Sequence, residues 1–150
     1  MPVVFMRGDI FNSNAQTLVC PVNTVGKMGK GLAEAMAKRF RGLYPQYVTA
    51  VIGGAMTPHS LTLFRVGHNK QILCFPTKEH WRNDSNLTLV EEGLIRLTAS
   101  YQGFNIQSLA VPALGCGEGK LSWNDVHPLI TKYLNPLPIM VEVYEPTYGV

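Results

Sequence analysis

Apolar positions along the chain follow two periods in turn. Short apolar runs at 3–6 and 17–22, the second ending Cys20-Pro21-Val22, predict strands. Residues 31–40 (GLAEAMAKRF) predict a helix. Leu32, Ala35, Met36, Ala37 and Phe40 fall near one face, and Glu34 and Lys38 form an i, i+4 pair on another. Runs at 61–66 and 71–75 flank Gly67-His68-Asn69-Lys70 and predict a hairpin. The longest helical pattern is 85–101, with Leu87, Val90, Leu94, Leu97 and Tyr101 on one face and Ser85 or Asp84 as N-cap. A strand at 106–111 follows. Next comes a helix at 122–134, where Ser122 and Asp125 have capping-box spacing. A strand at 139–144 ends the series, after a tight connection at Pro136 and Pro138.

Strands alternating with helices predict an α/β fold, with helices on both faces of a mixed sheet. The 150 residues suit one domain, expected to span 1–150. A hydrophobic fraction of 46% against 15% charged excludes disorder as the main state. No apolar stretch reaches the length of a membrane span, and the amino-terminal residues do not read as a signal peptide. Cys20, Cys74 and Cys116 are odd in number and have no C-x-x-C spacing. Neither a disulfide framework nor a metal site is expected, and a cytoplasmic location fits best.

The 14 glycines are grouped, and this changes the picture. Gly26, Gly29 and Gly31 stand between a strand and a helix, as do Gly115, Gly117 and Gly119. Glycines ahead of a helix N-terminus let backbone N–H groups approach an anion, and alternating glycines can form a nest. The first loop is not a Walker loop, because Leu32 stands where lysine is needed. Either loop alone also reads as a tight turn. Two at the carboxyl edge of one sheet suit a pyrophosphate. A net charge of +3 permits an anionic ligand but is below that of proteins gripping nucleic acid by charge alone.

Three segments carry a resemblance: Gly8-Asp9-Ile10, Pro21-Val22-Asn23 and Pro112-Ala113-Leu114-Gly115-Cys116-Gly117. Together they resemble a macro domain over essentially the whole chain. Asn23-Thr24-Val25-Gly26-x-Met28-Gly29-Lys30-Gly31 and Phe75-Pro76-Thr77-Lys78-x-His80-Trp81-Arg82 resemble its DarG-like branch of DNA ADP-ribosyl glycohydrolases, antitoxins to DarT-type toxins. The resemblance implies a three-layer α/β/α fold with a mixed central sheet, binding ADP-ribose without a cofactor or metal. It assigns Asp9 and Ile10 to the adenine, Asn23 to the distal ribose and Tyr144 to stacking on adenine. Met28, Gly29 and Gly31, with Leu114, Gly115, Cys116, Gly117, Glu118 and Gly119, would hold the pyrophosphate and distal ribose. The related terminal ADP-ribose glycohydrolase branch has an aspartate where this chain has Gly119. A separate toxin-neutralising domain is not expected within 150 residues, and a monomer is.

Lys78 is the catalytic candidate. It follows a strand directly, at the carboxyl edge, behind the stiffening Pro76. As a free amine it would attack the opened distal ribose; as an ammonium it would stabilise the departing base. His80, Trp81 and Arg82 suit single-stranded nucleic acid through stacking and phosphate contact, or else pack and solvate locally. Lys27, Lys30 and Lys120 add positive potential at the same mouth. Cys116 reads as a small residue in a tight loop rather than a nucleophile. The implied reaction is hydrolysis of an ADP-ribosyl–base link on DNA, with ADP-ribosyl-thymidine in single strands as substrate, reversing DarT-type modification. A glycohydrolase for protein- or RNA-linked ADP-ribose and a non-catalytic ADP-ribose reader are the alternatives.

Overall fold

The computed structural model describes residues 3–28, 31–78, 80, 83–117 and 119–146. Six strands form one sheet: β1 (Val3–Met6), β2 (Thr17–Val22), β3 (Thr62–Gly67), β4 (Lys70–Pro76), β5 (Ser108–Val111) and β6 (Met140–Tyr144), in the order β1-β6-β5-β2-β4-β3. Every neighbouring pair is parallel except β3–β4, the predicted hairpin. The sheet is therefore mixed, and the carboxyl ends of β1, β2, β4, β5 and β6 share one edge.

Strict alternation along the inner strands divides the core into two layers. Val19, Leu73, Phe75, Leu109, Val111, Val141 and Val143 face one side. There they meet α3 (Leu87–Ser100) and α4 (Trp123–Leu134) through Val90, Leu94, Leu97, Val126, Ile130 and Leu134. Leu18, Cys20, Val22, Ile72, Cys74, Ala110 and Tyr144 face the other side. Met36 of α1 (Gly31–Arg39) and Leu43 and Tyr47 of α2 (Leu43–Ile52) cover that layer. Burial on both faces is why the inner strands read as continuous apolar runs.

Three local expectations are corrected. The helix predicted from residue 85 begins at Leu87, capped by Asn86, whose Oδ1 accepts from the N–H of Thr88 at 2.8 Å and of Leu89 at 3.3 Å. Ser85 is engaged elsewhere, and Asp84 faces Lys120. The strand predicted from 106 begins at Ser108, because the N–H of Ile106 closes α3 by donating to the Tyr101 carbonyl at 2.9 Å. Ser122 caps α4, but its hydroxyl accepts from Asn124 N–H at 3.2 Å rather than from Asp125 as a capping box requires. α2 is an unpredicted element. Pro45 sits in its first turn, where a missing N–H leaves no hydrogen bond unmade. Among the described residues, no helix is long and apolar enough to cross a membrane.

Candidate functional site

The shared carboxyl edge opens into a cleft of about 1290 Å³. It exceeds the roughly 300–1,000 Å³ of a drug-sized pocket and suits a dinucleotide-sized ligand. Each parallel strand feeds it: β1 leads to Gly8, Asp9 and Ile10; β2 to Asn23; β4 to Thr77 and Lys78; β5 to the second glycine loop; and β6 to Tyr144 and Glu145.

At the β1 end, Gly8 has φ +115°, which turns the chain into a 3-10 turn at Ile10–Asn12. Asp9 caps that turn: its Oδ1 accepts from the Phe11 N–H at 2.9 Å. Asp9 also lines the cleft. Ile10 and Tyr144 pack in the same core layer. Tyr144 lines the cleft but is only 7% exposed, and its hydroxyl lies 3.2 Å from Glu142 Oε1, which also accepts from Ser13 Oγ at 2.6 Å. Burial raises its phenol pKa.

The first glycine loop is organised by Asn23. Its Oδ1 accepts from Val25 N–H at 3.0 Å, and its amide donates to the Lys27 carbonyl at 2.7 Å. The Tyr47 hydroxyl reaches this loop from α2, lying 2.8 Å from the Asn23 carbonyl and 2.9 Å from its Oδ1, and accepting from Gly26 N–H at 3.2 Å. Tyr47 is fully buried, and that burial pushes its phenol well above the usual range. Gly31 enters α1 at φ +61° and lines the cleft with Leu32 and Ala33, so the helix N-terminus opens into it.

The second loop is tied back on itself. The carbonyls of Ala113, Gly115 and Gly117 accept from the N–H groups of Cys116, Leu121 and Lys120 at 3.0, 2.8 and 3.1 Å. It is also tied to the Lys78 segment through Ser85, whose N–H donates to Gly119 O at 2.9 Å and whose hydroxyl lies 3.1 Å from Thr77 Oγ1. Asn86 N–H donates to Thr77 O at 2.8 Å, and Thr77 N–H to Val22 O at 3.1 Å. A Cβ at Gly119 would meet the Ser85 hydroxyl and approach Gly115 O at 2.5 Å, so this contact admits no side chain. The chain on either side of Lys78 is thereby anchored to β2 and to the loop across the cleft.

The expected site residues therefore separate. Asp9, Ile10, Asn23, Gly31, Lys78, Gly115, Cys116, Gly117, Gly119 and Tyr144 come together around the cleft. Leu114 is wholly buried and Met28 is 6% exposed; they pack in opposite core layers rather than lining the cleft. The Asn23 amide donates to the Lys27 carbonyl, so this residue shapes the loop as well as lining the cleft. His80 is half-buried and outside the cleft lining. Gly29, Glu118, Trp81 and Arg82 lie outside the described residues. Burial pushes the Cys116 thiol up to about 11, which removes it as a nucleophile near neutrality. Sequence reasoning missed Tyr47 and the bridging role of Ser85. An apolar face at Leu43, Tyr47 and Val51 was the available signal for the helix carrying Tyr47. No group of three or more His, Cys, Asp or Glu side chains among the described residues could hold a metal ion.

Comparison with known proteins agrees with this geometry. The family model described as "Macro domain" matches residues 19–130. The DNA ADP-ribosyl glycohydrolase of Mycobacterium tuberculosis is 35% identical over 98% of this chain and 43% of its own length. The solved macrodomain of Mycobacterium tuberculosis DarG superposes with a TM-score of 0.92 at 35% identity, covering 97% of this chain and 99% of that one. Thermosipho africanus DarTG in complex with ADP-ribose superposes with a TM-score of 0.92 at 38% identity, covering 98% of this chain and 43% of that one. The chain spans 41–43% of the length of the curated relatives it matches. A six-stranded mixed sheet between two helix layers, a cleft framed by two glycine loops and this likeness over nearly the full length lead to one conclusion: the chain belongs to the macro domain family.

Proposed function

We propose that this chain binds ADP-ribose in the cleft and hydrolyses the bond joining it to a base of single-stranded DNA, with ADP-ribosyl-thymidine as substrate. The observation that carries this reading is the position of Lys78. It lines the cleft directly after β4, between the two glycine loops, in a fold that matches a DarTG structure holding ADP-ribose. The helix N-terminus at Gly31 and the Gly115–Gly119 loop supply backbone groups for the pyrophosphate. Asp9 accepts from the adenine amine. The bond broken joins base and distal ribose. Water's hydroxyl ends on the anomeric carbon, and its proton on the released base.

Lys78 acts either as a nucleophile, through a transient imine with the opened ribose, or as an ammonium beside the departing base. Borohydride reduction during turnover separates the two, since only the imine leaves a stable lysine–ribose adduct. The test of the whole reading is incubation with an ADP-ribosylated thymidine oligonucleotide. ADP-ribose is released by the native chain, while Lys78→Ala loses hydrolysis and keeps ADP-ribose affinity. Full activity in Lys78→Ala overturns the assignment. Release only from modified protein or RNA moves the substrate, and tight binding without release from any substrate makes the chain a reader. A DarT-type toxin as the source of the modification belongs to the same proposal, motivated by the relative named as a DNA ADP-ribosyl transferase–glycohydrolase fusion.

A further inference from the structure

Among the described residues, three non-glycine positions have positive φ: Asn69 at 53°, Asn105 at 55° and Lys120 at 65°. Asparagine tolerates the left-handed region through its short polar side chain. Lysine has no such compensation, and glycine would occupy position 120 without strain. A strained residue persists where its surroundings enforce it, and such residues cluster at functional sites. The enforcement is visible: Lys120 N–H donates to Gly117 O at 3.1 Å, and the next residue's N–H donates to Gly115 O at 2.8 Å.

The place where Lys120 is held carries the argument further. Its side chain lines the cleft and is 74% exposed. Its ammonium stands 3.9 Å from Asp84 Oδ1, itself 69% exposed, which is beyond hydrogen-bond length and leaves the ammonium open to a competing anion. Asp84 belongs to the segment that leaves β4 through Lys78 and returns to Gly119 through the Ser85 N–H. The Lys120–Asp84 pair therefore bridges the lip between the Lys78 segment and the second glycine loop, where the group attached to ADP-ribose must emerge. An exposed cation on a fixed backbone at that lip suits a backbone phosphate of a nucleic acid, beside a pyrophosphate held deeper by amides.

We propose that Lys120 is a specificity-determining residue that contacts a backbone phosphate beside the modified base of a single strand, displacing Asp84. This rests on the reading of the cleft as an ADP-ribose site. The test compares free ADP-ribose with a fluorescent, ADP-ribosylated thymidine oligonucleotide, both bound to Lys78→Ala protein so that turnover does not intervene. Adding Lys120→Gly weakens oligonucleotide binding about 3- to 10-fold at low salt and lowers the log–log salt slope by about 0.7, the value for one single-strand phosphate contact. Affinity for free ADP-ribose stays within about twofold. The melting temperature rises by about 2–4 °C as the left-handed strain is relieved. Lys120→Arg restores the salt slope but not the gain in melting temperature.

An unchanged slope, or equal weakening for free ADP-ribose and oligonucleotide, overturns the assignment of Lys120. Failure of the Lys78→Ala protein to bind free ADP-ribose instead overturns the reading of the cleft, and Lys120 is then judged on the oligonucleotide slope alone.

Discussion

Tyr47→Phe tests whether the first glycine loop is held from outside the cleft. The phenol oxygen lies 2.8 Å from the Asn23 carbonyl, 2.9 Å from Asn23 Oδ1 and 3.2 Å from the Gly26 nitrogen. Removing it leaves the buried Asn23 without two contacts and Gly26 N–H without its acceptor, while the ring keeps its packing in the α2 layer. Stranding a buried polar group costs about 1–3 kcal/mol, so the variant should unfold about 3–9 °C lower. If the loop loosens instead of staying in place, its ordering is deferred to ligand binding, and ADP-ribose affinity falls about tenfold for each 1.4 kcal/mol. Thermal denaturation and calorimetric ADP-ribose titration measure the two parts. A double-mutant cycle with Asn23→Ala isolates the pair, with an expected coupling of about 1–2 kcal/mol. Tyr44→Phe is the control, because Tyr44 is 41% exposed and, among the described residues, its hydroxyl donates to Gly26 O at 3.1 Å. Wild-type affinity and wild-type stability together in Tyr47→Phe would refute the argument.

Three further predictions concern glycine packing and the thiols. Gly119→Ala places a methyl group against the Ser85 hydroxyl and should lower both melting temperature and turnover; Gly117→Ala, where a Cβ meets nothing within 4 Å, should keep the melting temperature. Equal stability of the two variants would refute the Ser85 contact. The Cys20 and Cys116 thiols are pushed up to about 12 and about 11 by burial, and burial likewise raises Cys74, with the neighbouring Cys20 adding to it. Native protein should therefore resist iodoacetamide at pH 8, whereas urea-unfolded protein reacts at all three cysteines; fast alkylation of Cys116 in native protein would count against this. The same shifts set the alkaline limit. Unfolded thiols ionise near their ordinary value of 9.0 while native ones keep their protons, so stability is intact below pH 9 and falls as pH rises toward 11–12. The slope is about 1.4 kcal/mol per pH unit for each thiol so affected, measurable by urea titration across that range.

The sheet was legible because its chemistry is local. Burial on both faces writes runs such as 18–22 and 72–76 as unbroken apolar sequence, whereas the pairing of β2 with β4 and β5 joins segments distant in the chain. The two glycine loops were legible for the same reason, since each lies between a strand and a helix in the chain. What escaped was set by partners distant in sequence. Ser85 is of a residue type favoured at helix caps, yet Asn86 takes that role because Ser85 is drawn to Thr77 and Gly119. Pro45 masks α2, and with it the phenol that shapes the loop ahead of α1.

These failures share a physical cause. A cleft built from five strand ends requires its loops to be fixed to one another, and backbone groups at such ends have no strand or helix partner of their own. The side chains that satisfy them must come from elsewhere in the fold and must be buried to compete with water. In the sequence they are an ordinary core tyrosine and an ordinary serine. Asp9 was assigned to the adenine through the resemblance, while its visible partner, Phe11 N–H, lies only two residues away. Lys78 stands between these cases. Its place after β4 follows from the strand pattern, but its position opposite the second glycine loop depends on Ser85 joining Thr77 to Gly119. The supporting hydrogen bonds, rather than the lysine itself, are therefore where variation between related chains should alter turnover without changing the residues that touch the ligand.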